Sequence, residues 1–404
     1  MIDLIRTIWQ IAGTTAAVAT IPGSVELLTL SAAAMMYSDR SLPSGPKTWR
    51  VAVIMPAHNE ETGIVRCVQS LLQTKPVDMQ TDIYVIADNC NDQTAELASK
   101  AGAIVLVRTN TTERGKGYAL HYAFTTLGPR GYDCFLVVDA DTEVAPNFIS
   151  AAAGRMRDGA AAVQARYLVS NLGESIRTRL MGVALRGFNV VRPLGRETLG
   201  LSAGILGNGF GLSQATLKEV PYLAASVVED LEYHLSLVRS GRRVAFANET
   251  TVYGEMPVRG KGVQTQRSRW EGGRLRMLLD KSPQLALDVL KGRFLMLEPL
   301  LELLLLPLAF HMLLLLVAAT TPLAFARNVG LAGIAIVVLH LIAAISVGGG
   351  TWRDGAALLA APFYILWKLM LIPSLLRNAR SNNEWVRTSR NAEAVPADAD
   401  KTTK

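Results

Sequence analysis

Residues 134–143 constrain the fold of this chain more than any other stretch. The apolar run Cys134-Phe-Leu-Val-Val138 ends abruptly in Asp139-Ala-Asp141, two carboxylates one residue apart. A short apolar run closed by polar residues reads as a buried parallel strand. In open α/β sheets, ligands gather beyond the carboxyl ends of such strands. Two hard oxygen donors there suit Mg²⁺ or Mn²⁺ carrying a diphosphate. In isolation such a pair more often marks two solvated acids at a strand end, so the reading depends on its neighbours.

Those neighbours repeat the pattern. Residues 51–57 (VAVIMPA), 82–87 (DIYVIA) and 103–107 read as strands, followed in turn by helices at 61–73, 94–101 and 116–127. In the first helix Ile64, Val65, Val68, Leu71 and Leu72 share one broad face. Strands alternating with short helices predict right-handed βαβ units and a parallel sheet. Polar residues then fall along one edge of that sheet: His58, Asn59 and Glu60, then Asp88, then Arg114 and Lys116, then Asp139 and Asp141. Strand ends loaded in this way describe a nucleotide site. A dinucleotide-binding fold and a P-loop are excluded, because no G-x-G-x-x-G follows the first strand and no G-x-x-x-x-G-K-[ST] occurs. The Arg114-Gly-Lys-Gly117 turn reads equally as a tight connection before a helix or as a lysine held close to a diphosphate.

Half of the residues are hydrophobic, and the excess sits at the two ends. Residues 11–36, 295–317, 330–347 and 356–376 are apolar blocks near the length of about 20 residues that a membrane span needs. The first has only Arg6 as a basic flank and no clear small-residue cleavage site before Tyr37, so it reads as a retained anchor. Arg377, Arg380, Arg387 and Arg390 behind the last block place the tail in the cytoplasm. The charged centre is expected on the same side, which requires an even number of crossings between them. Residues 303–320 and 330–347 therefore form a hairpin of spans. Residues 356–376, interrupted by Pro362, Lys368 and Pro373, are expected obliquely at the interface, the alternative being a full fourth span with the tail outside, against the positive-inside preference. Beside such blocks the net charge of +7 points to anionic lipid or a diphosphate rather than nucleic acid. Cys67, Cys90 and Cys134 show no paired or metal-type spacing and suit a reducing compartment.

The motifs P-A-H-N-E-E (56–61), A-D-N-C-N-D (87–92), R-G-K-G (114–117), V-V-D-A-D (137–141), V-V-E-D (227–230) and Q-R-S-R-W (266–270) follow one another in this order. Together they resemble the processive-type family 2 glycosyltransferases, the membrane enzymes similar to cellulose, chitin, hyaluronan and poly-N-acetylglucosamine synthases. The resemblance covers about residues 51–276, and the flanking apolar blocks match that family's layout. It implies an α/β GT-A domain with flanking transmembrane helices, Mg²⁺ or Mn²⁺, a nucleotide-sugar donor that is UDP-linked, and inversion at the anomeric carbon. Carried over residue by residue, Pro56, His58 and Glu60 would border the base and ribose, and Asp88 would read the pyrimidine edge. Lys116 would pair with the diphosphate, Asp139 would hold the donor, and Asp139 with Asp141 would ligate the metal. Asp230, beside Glu229, matches the family's catalytic base. Gln266, Arg269 and Trp270 match its signature at the diphosphate and acceptor. Three positions depart from the pattern: His58 where tyrosine is common, Asn89-Cys90 for an acid–glycine pair, and Val228 for threonine.

On this reading the chain divides into an N-terminal membrane anchor (1–40), a cytoplasmic GT-A domain (47–285), C-terminal membrane and interfacial helices (286–391) and a disordered tail (392–404). Its place is the cell membrane. Its partners are the sugar nucleotide, a polysaccharide or lipid-linked saccharide acceptor and membrane lipids, with a second copy or an export partner as a further option. The expected role is exopolysaccharide or cell-envelope glycan synthesis. Single-sugar transfer to a lipid-linked acceptor and a non-catalytic sugar-nucleotide-binding partner are rivals, and a membrane transport component is a third, which leaves the strand-end acids unexplained. Several residues keep two readings. Glu229-Asp230 also suits a helix start, and Trp270 offers either a flat face for a sugar or an interfacial anchor. Gly207 to Gly211 allows either close backbone approach or a flexible turn. Arg274 and Arg276 are expected to face lipid phosphates. Glu298 and Glu302 are expected in a buried pairing or on an interfacial face, and His311 and His340 beside a partner rather than lipid.

Overall fold

The computed structural model describes residues 2–38, 49–74, 76, 78–224, 226, 228–256 and 261–369, with the backbone alone described at 2, 261–269, 368 and 369. The chain opens with helix α1 (Ile2–Met35). Strand β1 (Trp49–Ala57), helix α2 (Ile64–Gln73), β2 (Met79–Asp88), α3 (Thr94–Lys100), β3 (Ile104–Arg108), α4 (Lys116–Leu127) and β4 (Cys134–Val137) then follow as the alternation requires. Strands β1, β2, β3 and β4 pair in parallel. Their side chains alternate between two apolar layers. Val51, Val53 and Met55 pack with Ile64, Val68 and Leu71 of α2. Ala52 and Ile54 pack with Leu120, Phe124 and Leu127 of α4. A sheet covered on both faces accounts for the continuous apolar runs.

The second half of the sheet departs from the parallel expectation. It contains β5 (Thr142–Val144), α5 (Phe148–Arg157), β6 (Ala162–Val169), α6 (Ile176–Arg186), α7 (Arg192–Thr198), β7 (Phe210–Ser213), α8 (Gln214–Glu219), α9 (Glu229–Arg239) and β8 (Val244–Gly254). The strand order is β3-β2-β1-β4-β7-β6-β8-β5. Strand β7 runs antiparallel to both β4 and β6, and β5 antiparallel to β8. An antiparallel strand beside β4 begins at the edge where β4 ends. The turn that leads into β7 is thereby delivered to the loaded edge of the sheet.

Helix α10 (Lys261–Leu290) leads to α11 (Leu297–Leu304), α12 (Leu308–Ala319), α13 (Ala324–Ser346), α14 (Trp352–Ala357) and α15 (Ala361–Leu369). Among the described residues two helices are long and apolar enough to cross a membrane, 3–35 within α1 and the whole of α13. The span expected over 303–320 is not one straight helix, because residues 294–304 and 308–319 meet at 80°. Pro307 stands at the break, where its missing N–H and fixed φ end a helix readily. At about 1.5 Å per residue, α12 alone falls well short of a hydrocarbon core of about 30 Å. Residues beyond 369, with the basic tail and the end of the last apolar block, lie outside the described residues.

Helix α1 is stitched to its neighbours. Ser24 Oγ lies 3.1 Å from His311 Nε2, and Ser31 Oγ lies 2.8 Å from His340 Nδ1. Both histidines thus have the partner expected for them. A Cβ added to Gly195 of α7 would sit 2.2 Å from the Leu30 carbonyl oxygen, so only glycine lets the two helices approach this closely. A π turn at Gly187–Val191 joins α6 to α7 and sets the direction in which Arg192 and Arg196 leave the helix.

Candidate functional site

The first strand ends are fixed by hydrogen bonds between loops. His58 Nδ1 donates to the Asp88 carbonyl at 2.8 Å. The Glu60 backbone N–H donates to Thr94 Oγ1, also at 2.8 Å. Asn59 and Asn89 adopt left-handed backbone angles (φ 55° and 52°), a conformation that asparagine tolerates better than most residues. Their side-chain oxygens accept from the N–H groups of Asn91 (2.9 Å) and Asn110 (2.8 Å). Asp88 is buried, and its Oδ1 accepts from Arg108 Nη1 at 2.6 Å. The expected base reader is therefore already held by a cation at the end of β3, and Arg108 was not among the residues that the sequence singled out.

Around the two acids after β4 the arrangement is tighter. Lys116 opens α4, and its Nζ lies 2.5 Å from both Asp139 Oδ1 and the Gly207 carbonyl. Asn208 Oδ1 accepts from the Asp139 N–H at 3.1 Å, and its Nδ2 donates to Thr142 Oγ1 at 2.8 Å. Gln164, fully buried in β6, donates to the Asn208 carbonyl and accepts from the Leu206 N–H. Gly207 has φ +79°, and a Cβ there would lie 3.1 Å from Asp230 Oδ2 and 3.8 Å from Lys116 Nζ. This turn is where the lysine meets the second pair of acids. Glu229 and Asp230 form the first turn of α9, and Asp230 Oδ1 accepts from the Leu231 N–H at 2.8 Å. The helix-start reading of the pair thus holds alongside any chemical role.

Burial governs the charges here. Loss of solvent, followed by the neighbouring Asp230 charge, raises the Glu229 pKa above the usual carboxylate range. Burial also raises Asp230, against the lowering effect of the Leu231 N–H and the Lys116 ammonium. Burial opposes the Lys116 charge, but Asp139 and Glu229 outweigh it, and the net shift is upward.

A single cavity of about 1190 Å³ is lined by Asp139, Asp141 and Asp230, together with Lys116, Glu229 and Trp270. Pro56, His58, Glu60 and Asp88 line it as well. Trp270 is 36% exposed. The side chains of Gln266 and Arg269 lie outside the described residues. Among the described residues no group of three or more His, Cys, Asp or Glu could enclose a metal ion. Asp139 and Asp141 supply two carboxylates, and Lys116 engages the first. That set fits a cation that arrives with phosphates, since Mg²⁺ sites commonly use one or two carboxylates and complete the shell from substrate and water.

Arg274 corrects an expectation. Instead of facing lipid it belongs to a buried network of arginines and glutamates. Arg192 reaches Glu26 of α1 at 2.8 Å and Glu302 at 3.6 Å. Arg196 meets Glu26 at 3.2 Å, Glu302 at 3.2 Å and Glu298 in direct contact. Arg274 Nη1 stands 3.9 Å from Glu302 Oε1, and its guanidinium lies 5.7 Å from the Phe188 ring centroid. Glu298 and Glu302 are therefore in the buried pairing anticipated for them. Arg276 pairs with Asp280 at 3.4 Å.

A family model described as glycosyltransferase like family 2 matches residues 46–273. The probable glycosyltransferase YdaM of Bacillus subtilis is 24% identical over 253 residues, which are 59% of this chain and 59% of that protein. The chain thus spans about three-fifths of the length of that relative. The 4,4'-diaponeurosporenoate glycosyltransferase of Staphylococcus haemolyticus is 34% identical over 128 residues, 29% of this chain and 32% of that one. Among solved structures, the mannosyltransferase PcManGT from Pyrobaculum calidifontis, in complex with GDP-Man and Mn²⁺, superposes with a TM-score of 0.56 at 15% identity. The match covers 93% of this chain and 100% of that one. The likeness is one of fold: the mixed α/β sheet is GT-A-like, as expected.

Proposed function

Because the chain belongs to the glycosyltransferase-like family 2, we propose that it is an inverting transferase. On this reading it moves a sugar from a nucleotide donor, UDP-linked, to an acceptor at the membrane. The observation that supports this most is the convergence of Asp139, Asp141 and Asp230 on one cavity from distant parts of the chain. A domain over 47–285 would carry the chemistry in the cytoplasm, and 1–40 and 286–391 would hold it at the bilayer.

Each residue has a task in this scheme. Pro56, His58 and Glu60 border the nucleoside, and Asp88, fixed by Arg108, presents its remaining oxygen to the base. Asp139 and Asp141 hold the divalent cation, Mg²⁺ or Mn²⁺, which when bound would offset charge building on the departing diphosphate. Lys116 adds an ammonium at the same place. Asp230 takes the proton of the acceptor hydroxyl on the face opposite the leaving group. Glu229, held largely protonated beside it, avoids a second charge at the same spot. Trp270 offers its ring to the acceptor, and Gln266 and Arg269 complete the diphosphate side.

The test uses the full chain purified in detergent with labelled UDP-glucose, UDP-N-acetylglucosamine and GDP-mannose. Donor turnover should require Mg²⁺ or Mn²⁺, disappear in EDTA, and fall by about 10²–10³-fold in Asp141→Ala, the scale of losing one preorganised charge contact. Turnover that survives chelation, or a near-normal Asp141→Ala, would sink the proposal. A smaller effect is expected at the β7 turn. Gly207→Ala forces a side chain into a left-handed backbone, costing about 1–3 kcal/mol, and places a methyl against Asp230. Turnover should fall about tenfold, on the scale of 1.4 kcal/mol per decade, with the chain still folded by circular dichroism.

A further inference from the structure

The cavity is larger than one substrate needs. Its volume of about 1190 Å³ exceeds the range of about 300–1,000 Å³ usual for a small-molecule site. Besides the acids at 139, 141 and 230, its lining takes in Arg192, Arg274 and Glu302 and a set of apolar side chains. That apolar part is formed by Leu305, Leu308, Met312, Val337 and Leu341, which belong to one cluster of packed side chains. Val337 and Leu341 belong to α13, one of the two helices long and apolar enough to cross a bilayer. One hollow therefore joins the proposed catalytic carboxylate to an apolar chamber among membrane helices. A growing polysaccharide, polar along its whole length, has no counterpart in such walls. A hydrocarbon chain does.

Charge then selects the head of that molecule. Arg192, Arg196 and Arg274 line the same cavity. Each is matched by Glu26, Glu298 or Glu302 within the buried network. Three arginines face three glutamates, so a phosphate placed there would add its charge to a network whose basic and acidic side chains already match in number. An anionic head placed there would be desolvated beside three buried carboxylates that already pair with these cations, even though Arg192 Nε has no hydrogen-bond partner. A neutral hydroxyl meets no such penalty.

Resting on the transferase reading above, we infer that the acceptor is a lipid with an uncharged hydroxyl head. Its hydrocarbon lies in the chamber lined by Met312, Val337 and Leu341, and it accepts one sugar per visit. Asp230 removes the hydroxyl proton, and the oxygen bonds to the anomeric carbon. The bond from that carbon to the diphosphate breaks, and the nucleoside diphosphate leaves with the electron pair. The product is a neutral glycolipid.

The test uses membranes from cells expressing the full chain, supplied with labelled UDP-glucose, UDP-N-acetylglucosamine or GDP-mannose and then extracted with chloroform and methanol. Label should enter the organic phase as a product carrying one sugar and should survive mild acid, which cleaves glycosyl phosphates. Leu341→Trp and Met312→Trp, each filling the chamber, should shift label from lipid product to free sugar by at least tenfold in ratio. Two variants guard against one failing to insert, and recovery in the membrane fraction is measured for both. Acid-labile organic label would overturn the neutral head, and water-soluble products of increasing length would overturn the lipid acceptor. An unaltered ratio in inserted variants would overturn the chamber. All three of those outcomes leave the transferase reading standing. If the purified chain consumes no donor with metal present, the transferase reading falls and this inference falls with it.

Discussion

Asp230→Asn should lower sugar transfer by about 10²–10⁴-fold, the range attributable to a positioned general base, while the chain still inserts and folds. The amide keeps the shape and the hydrogen bond from the Leu231 N–H but cannot take a proton. The pH profile gives the sharper readout. A carboxylate acting as a base must be ionised, so a raised pKa moves the acid limb of the profile upward. Burial raises Asp230, and Lys116 works in the opposite direction. The acid limb should therefore lie above the ordinary aspartate range of about 3.9. Lys116→Gln should move it further up, because a charge that favours the ionised form is lost. Rates at saturating donor across pH would show both. An acid limb that moves down on loss of Lys116 would remove Asp230 from the role of base.

The second large effect concerns stability. Arg196 is fully buried between Glu26, Glu298 and Glu302. Arg196→Met should destabilise the chain by about 3–5 kcal/mol, the usual cost of leaving one side of a buried ion pair uncompensated. Thermal unfolding in detergent would measure it. Glu298→Gln added to Arg196→Met should recover part of the loss, since one of the stranded charges is then removed. Stability equal to the parent in Arg196→Met would mean that the network does not hold α1, α7 and α11 together.

The parts of the fold visible in the sequence were those with local signatures. Strands β1 to β4 are uninterrupted apolar runs that stop at polar residues, and α4 occupies the residues expected for it. The acids at 139, 141, 229 and 230 stood out because each follows or opens such an element. Strand β7 was missed because it has only four residues, and Gly207, Gly209 and Gly211 read as a turn. Its antiparallel pairing with β4 is a tertiary choice that no local pattern encodes. Arg108, Gln164 and Asn208 were missed because the contacts that tie them to the site, to Asp88, Asn208 and Asp139 in turn, span 20 or more residues. A glutamine inside the apolar run of β6 was nevertheless a signal, since a buried amide demands partners. Arg274 was misassigned because a basic residue near an apolar block resembles a lipid contact. Only the fold brings Glu302 to it. Hydropathy read residues 303–320 as one span without its bend; Pro307 marks where the two helices meet at 80°, so that they qualify together only as a broken span or a re-entrant pair.

The close approach of Gly195 to Leu30 bears on how the sheet domain could be isolated. A fragment starting at the first strand would shed Glu26, leaving Arg192 and Arg196 short of an anion, and would open an apolar trench along α7 to water. Such a fragment should aggregate, whereas trimming from the far C-terminal side of residue 369 spares every contact described here.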